Sequence, residues 1–314
     1  MSAAPHAGVQ ASPRTGPLLT AEGLGKTFGP VRAVTGLSFT VRPGVVTGFL
    51  GPNGAGKTTT LRMLLGLTRP TTGRALVGGQ PYLSLPVPTR VVGAALESGF
   101  HPGRTGLGHL EVYAAQALVS RRRCRELLEF VGLGAAADRR VGGYSLGMRQ
   151  RLALATALLG DPPAIVLDEP ANGLDPAGIV WMRELLRTFA AEGRTVLISS
   201  HLLSEVQHTV DQVLIVAGGR LVHASSLSEL EEQAAPETYV ESPARDRLAA
   251  LCRHAGWEVR PEGDGLVVTG VPAGVIGAAA YSSDVELHQL ASRGGGLEDV
   301  FLRLTATQPA GGEG

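Results

Sequence analysis

With 314 residues, 44% of them hydrophobic and 18% charged, the chain is long enough for one large domain and a smaller one. Its 28 basic and 28 acidic residues cancel, which argues against a nucleic-acid partner held by a broad basic surface. The two cysteines, Cys124 and Cys252, lack metal-ligand spacing and fit a reducing cytoplasm, and no apolar run reaches the roughly eighteen residues of a membrane span.

In chain order, residues 1–17 lack the apolar core of a secretion signal and read as a disordered tail. From 18 to about 43, apolar and polar residues alternate as in a small antiparallel sheet. Val45 to Leu50 is a short apolar strand that runs into a glycine loop and a helix from Lys57 to Leu67. Residues 100 to 135 are Leu- and Ala-rich with helical spacing, and the Arg121–Arg123 run reads as a solvated helix face. A helix capped by Ser145 stops at Asp161-Pro162-Pro163. Ala164 to Leu167 is a buried-type strand ending in two acids, and a helix over 176–192 leads to strand Thr195–Ser199 and His201. Strands alternating with helices predict a parallel sheet with helices on its faces and ligands beyond the strands' carboxyl ends.

Composition shifts near Glu229–Pro236. This separates a domain over 18–235 from a small α+β domain over 236–314. The latter has strands at 238–242, 257–270 and 285–291 and helices at 244–255, 273–282 and 297–305. In the last helix Leu297, Val300, Phe301 and Leu304 share one face, which packs on its own domain or meets a dimer or regulatory partner.

The stretch Gly51-Pro52-Asn53-Gly54-Ala55-Gly56-Lys57-Thr58-Thr59 matches G-x-x-x-x-G-K-[ST] between a strand and a helix. Its glycines let backbone N–H groups point at phosphate oxygens, and the helix N-terminus adds partial positive charge. Lys57 is expected at the β- and γ-phosphates and Thr58 on Mg²⁺, so the nucleotide and Mg²⁺ are expected together. Asp168 is placed to hold Mg²⁺, directly or through water, and Glu169 to polarise an attacking water. His201, beyond the end of a core strand, is either a structural histidine or a γ-phosphate contact. Tyr144-Ser-Leu-Gly-Met-Arg-Gln150 opens a helix and makes a second candidate anion site about ninety residues downstream.

These motifs, in this order, resemble the ABC-type ATPase family over about residues 18 to 225. The resemblance implies an α/β fold. It has a P-loop ATPase core (a mostly parallel sheet with flanking helices), an N-terminal antiparallel β-subdomain and a helical signature subdomain, followed here by the small C-terminal α+β domain. It implies ATP as the nucleotide, and it answers why there are two anion sites. Ser145-Leu-Gly-Met-Arg-Gln150 occupies the place of the Leu-Ser-Gly-Gly-Gln signature, which in that family meets the γ-phosphate held by a second copy. Ser145 and the N–H groups of Gly147 and Met148 would then bind the partner's ATP in a head-to-tail dimer. The resemblance also assigns Phe28 to adenine stacking, His201 to the switch histidine, and Asn172-Gly-Leu-Asp175 to the loop that communicates across the dimer.

Two departures stand out. Leu146 and Met148 stand in a signature where Gly and Gln are common, and Glu97 stands where the family usually has Gln near Mg²⁺ and the attacking water. Glu97 is either a metal ligand or a solvated loop residue. Glu97 and Ser-Leu-Gly-Met-Arg-Gln-Arg resemble the branch that exports drugs and peptide antibiotics. The resulting expectation is an ATP-hydrolysing subunit, most simply a homodimer, on the cytoplasmic face of the cell membrane. It would drive export through a separate transmembrane permease. The rivals are a soluble ABC protein of translation or DNA repair and a regulatory ATP-binding module.

Overall fold

The computed structural model describes residues 15–96, 99–234, 237–293 and 296–306. These form two compact units that divide between Ala224 and Ser225.

The first unit begins with strands β1 (Leu19–Phe28) and β2 (Val31–Val41), paired antiparallel from Leu19↔Val41 to Phe28↔Val31. Residues 15–17, expected in the tail, are instead partly pinned: Gly16 N–H donates to the Gly193 carbonyl (2.9 Å) and Thr195 Oγ1 to that of Pro17 (2.7 Å). Strand β3 (Val46–Leu50) leads into helix α1 (Lys57–Leu64). Strand β4 (Thr72–Val77) then pairs with β1 to complete the three-stranded antiparallel sheet β2-β1-β4.

Strand β5 (Val92–Ala95) precedes a helical region of α2 (Gly106–Ala117), α3 (Arg121–Phe130) and α4 (Leu146–Ala157). The break between α2 and α3 falls where Leu118 adopts a left-handed conformation at φ 54°. Then follow β6 (Ala164–Asp168), α5 (Pro176–Ala191), β7 (Thr195–Ser200), the one-turn α6 (Leu203–Val206), β8 (Gln212–Ala217) and β9 (Arg220–Ser226).

The central sheet runs β5-β6-β7-β3-β8-β9, and its β5–β6, β6–β7, β7–β3 and β3–β8 pairs are parallel. Every residue of β3, β6 and β7 is buried, as expected for parallel strands covered on both faces. Phe49, Val166, Leu197 and Val216 share one core with Leu19, Leu24 and Leu37 of the antiparallel sheet. The sheet therefore delivers the ends of β3, β6 and β7 to one place, the position where open parallel sheets bind ligands.

The second unit contains α7 (Leu227–Gln233), β10 (Glu237–Glu241), α8 (Arg245–His254), β11 (Glu258–Glu262), β12 (Gly265–Thr269), α9 (Ala273–Ser282), β13 (Gln289–Arg293) and α10 (Leu297–Ala306). From β10 to β13 the order is βαββαβ, in an antiparallel sheet β11-β12-β10-β13. That is the ferredoxin-like arrangement. Val240, Leu248, Cys252, Leu266, Val268 and Ile276 form its core. On α10, Val300 and Phe301 are buried and the helix packs against α7. This contact brings α7 into the second unit, so the division lies ahead of the boundary expected at 235.

Candidate functional site

The loop from Gly51 to Gly56 turns the chain from β3 into α1. Gly54 and Gly56 sit at φ 80° and 94°, where a Cβ is strained. A Cβ on Gly56 would also meet the Ala33 carbonyl oxygen at 2.5 Å. No side chain caps α1, so its first N–H groups remain for a ligand. They border a cavity of about 560 Å³, within the size of small-molecule sites. Asn53, Gly54, Ala55, Gly56, Lys57, Thr58 and Thr59 line it.

Gly51 and Pro52 lie beneath that lining and act through their carbonyls. Lys57 Nζ donates to Gly51 O at 2.6 Å and to Pro52 O at 3.2 Å. Lys57 is nearly buried, and loss of hydration pushes its ammonium pKa down, while Glu169 and Asp168 oppose that shift. Glu169 Oε1 is 3.8 Å from Lys57 Nζ.

The end of β6 supplies two acids that point apart. Asp168, buried in the sheet, accepts hydrogen bonds from Thr58 Oγ1 at 2.7 Å and from Ser199 Oγ of β7. Glu169 leaves the strand at φ 50°, a region costly for a residue with a Cβ. Two neighbours hold it there. Its N–H donates to Ser199 Oγ at 3.0 Å, and its carbonyl accepts from Gln150 Nε2 of α4 at 3.1 Å. The kink aims the carboxylate at His201, whose Nδ1 lies 2.7 Å from Glu169 Oε2. A cradle that side chains would fill, a buried lysine and a hydroxyl–carboxylate pair at its floor fit a polyphosphate with a divalent cation.

Asp168, Glu169 and His201 line the same cavity as Lys57 and Thr58. Ser145, Gly147 and Met148 do not line it. Ser145 is exposed, and its hydroxyl caps α4 by accepting from Met148 N at 3.2 Å. Phe28 is also absent from the cavity wall; it is half exposed, with Lys26 Nζ 4.8 Å from its ring centre. Glu97 lies outside the described residues. Ala33, Leu96, Phe100, Leu146, Arg149, Gln150 and Asn172 also line the cavity, and the motifs alone did not single these out as ligand contacts. Arg149 and Gln150 stand within the quoted signature stretch, which is the one signal that could have found them.

Among the described residues, the helical region beside the site carries buried polar atoms without a hydrogen-bond partner, His109 Nδ1 and Arg149 Nε among them. His109 of α2 is buried between Phe100 and Tyr113, with ring centres 5.0 Å away on each side. Its Nδ1 has no hydrogen-bond partner among the described residues, and burial, with Arg104 adding, lowers its pKa to about 4.

Comparison with known proteins gives a consistent neighbourhood. The ABC transporter family model matches residues 34–172, and a domain family of unknown function matches 236–298. The chain is 38% identical over 306 residues to the Nod factor export ATP-binding protein I of Burkholderia lata, covering 90% of this chain and 95% of that one. It is 35% identical over 292 residues to a bacitracin transport ATP-binding protein of Bacillus licheniformis, with the same coverage. Among solved structures, the ATP-binding subunit of an ABC transporter superposes with a TM-score of 0.62 at 27% identity, covering 69% of this chain and 92% of that one. A bacterial ABC transporter cassette solved as a dimer shares the fold, with a TM-score of 0.60 at 22% identity over 67% of this chain and 98% of its own.

Proposed function

Because the chain belongs to the ABC transporter ATP-binding family, we propose that it works as a dimer whose ATP hydrolysis drives export through a separate membrane-spanning subunit. Hydrolysis of ATP is the family's activity. The dimer, the direction and the membrane partner are the proposal. The observation that carries the dimer is that Ser145, Gly147 and Met148 stay off the cavity wall of their own chain. Leu146, Arg149 and Gln150 of α4 do face that cavity; that Ser145, Gly147 and Met148 at the same helix start do not is accounted for by a nucleotide on a second copy.

In this reading Asn53 to Thr59 wrap the phosphates, and Lys57 exchanges its hydrogen bonds to Gly51 and Pro52 for phosphate oxygens. Thr58 and Asp168, with Glu97 as a third candidate, would hold Mg²⁺, which when bound supplies charge neutralisation at the phosphates. Glu169 takes the proton of the attacking water, oriented by the Ser199 and Gln150 hydrogen bonds that fix its backbone. His201, at Glu169 Oε2, holds that carboxylate or the terminal phosphate in place. Phe28 offers an exposed ring for adenine at the rim.

Export is favoured by the named roles of the two relatives, in Nod factor export and bacitracin transport. Among the described residues no helix is long and apolar enough to cross a membrane. A peripheral place on the cytoplasmic face, beside a membrane-spanning protein, is therefore part of the proposal. Tagged chain purified from detergent-solubilised host membranes tests it, with co-purifying proteins identified by mass spectrometry. A stoichiometric polytopic membrane protein is expected. Recovery of ribosomal or DNA-repair proteins alone would overturn the transport reading and leave only the ATPase chemistry.

A further inference from the structure

Among the described residues, one group of His, Cys, Asp or Glu side chains stands close enough to share a metal ion: Glu169, His201 and Glu205, whose ligand atoms lie within 4.8 Å of one another. Two of the three face the phosphate cavity. Glu205, on the one-turn α6, does not line that cavity. It is drawn toward the others by Ser200, whose Oγ donates to Glu205 Oε2 at 2.7 Å. A second, separate hollow of about 20 Å³ is lined by Glu169, Ser200 and Glu205 but not by His201, which faces the phosphate cavity, so the triad lies at the junction of the two.

The geometry points to an inhibitory transition-metal site, in which Glu169, His201 and Glu205 bind one Zn²⁺-type ion in the nucleotide-free chain. Two carboxylates and an imidazole are a common ligand set for such ions. Ligand atoms about 2.0–2.2 Å from Zn²⁺ stand at most roughly 4 Å apart across it, so a triad now within 4.8 Å must draw closer to bind. If His201 binds through Nδ1, its proton moves to Nε2, and a neutral imidazole remains a competent ligand. Arg183 also lines the small hollow, with its Nε unpaired among the described residues. Its charge repels a cation within the hollow, so the ion is held on the His201 side of the triad, where bonds to imidazole favour it. That selects Zn²⁺ over Mg²⁺.

The ion takes the carboxylate of Glu169 and fixes His201. A chain so loaded lacks both groups at the phosphate cavity, and the inhibition part of the inference rests on the ATPase reading. Binding itself does not, and is tested without nucleotide. Co²⁺, whose visible absorption reports its ligands, is titrated into the full-length chain and then displaced with Zn²⁺. One Co²⁺ per chain is expected, retained in excess Mg²⁺ and displaced by Zn²⁺. His201→Ala should abolish the signal. Glu205→Gln, whose amide oxygen can still accept from Ser200, should weaken binding roughly tenfold or more.

Glu205→Gln should also keep its basal MgATP turnover and resist inhibition by Zn²⁺. Binding that persists unchanged in either variant, or no saturable binding, overturns the site. Binding with the expected variant response but no inhibition of turnover overturns the inhibitory role alone. Circular dichroism on both variants separates loss of ligand from loss of fold.

Discussion

Two helices of the first unit open with groups suited to an anion, and they are prepared differently. Helix α1 starts behind Gly56 in a left-handed conformation with no capping side chain. Helix α4 starts at Ser145, whose own hydroxyl accepts from Met148 N. With Gly56 at the cap, the uncapped start is less stable alone by only roughly a few tenths of a kcal/mol, and it leaves its N–H groups to a ligand within the same chain. A capped start is complete without one. The difference separates a site that one chain assembles, around Lys57, Asp168 and Glu169, from a helix start that is satisfied within its own chain and that the proposed dimer would use as a half-site.

The sharpest way to test the first half of that contrast is Glu169→Gln. The amide keeps the shape and can still meet His201, but it cannot take a proton. MgATP turnover should fall by about 10²–10⁴-fold, while nucleotide affinity of the isolated chain stays near that of the parent. Rapid-quench turnover beside equilibrium binding of a fluorescent ATP analogue reads the two separately. Near-normal turnover would remove Glu169 from its role and leave Asp168 and Lys57 as a binding site only.

Acid should break the contrast from the other side, because α4 packs on α2 and α2 carries His109. His109 titrates near 4 in the folded chain against an ordinary value of 6.5. Between those values the unfolded chain binds more protons. Stability from the neutral, buried ring is therefore complete above pH 6.5, shrinks as pH falls, and is exhausted near 4. The shift amounts to about 3 kcal/mol. His109→Phe, in a pocket already walled by Phe100 and Tyr113, should remove most of that acid sensitivity. Urea midpoints at neutral and acid pH for both proteins measure it, and equal acid losses would show that another group dominates.

Much of the phosphate cavity was legible because its parts are short and chemically strict. Glycines at Gly54 and Gly56 carry positive φ, and the fully buried β3, β6 and β7 read as apolar runs. Other strands escaped notice, including β8, whose run over 213–217 is itself apolar and buried. Val92-Gly-Ala-Ala95 of β5 has little side chain to mark a strand, and β4 begins Thr-Gly-Arg. The single strand expected over 257–270 is the hairpin β11–β12, turned at Gly263, φ 55°. The helical expectation over 100–135 missed the break at Leu118 for a similar reason, since leucine is an unusual residue in a left-handed conformation. At the site itself, the contact of Gln150 with the Glu169 carbonyl joins residues 19 apart through a backbone atom, and no residue type advertises that.

The second half of the contrast carries the smallest effect on the chain alone. Ser145→Ala removes the α4 cap and should cost about 1 kcal/mol of stability, read as a lowered urea midpoint. Nucleotide affinity of the single chain should be unchanged, because Ser145 does not line its cavity. Turnover should fall all the same, since the half-site would no longer meet a partner's phosphate. Lys57→Ala should fail for the opposite reason, with an intact α4 start and a damaged cavity. Mixed together, the two inactive variants form pairs in which one cavity is intact on both sides: the Ser145→Ala chain supplies Lys57 and the Lys57→Ala chain supplies Ser145. Recovered turnover in the mixture, absent from either variant alone, is the expected outcome. A mixture no more active than its parts would mean that α4 serves its own chain, and the capped helix start would then be a structural feature and nothing more.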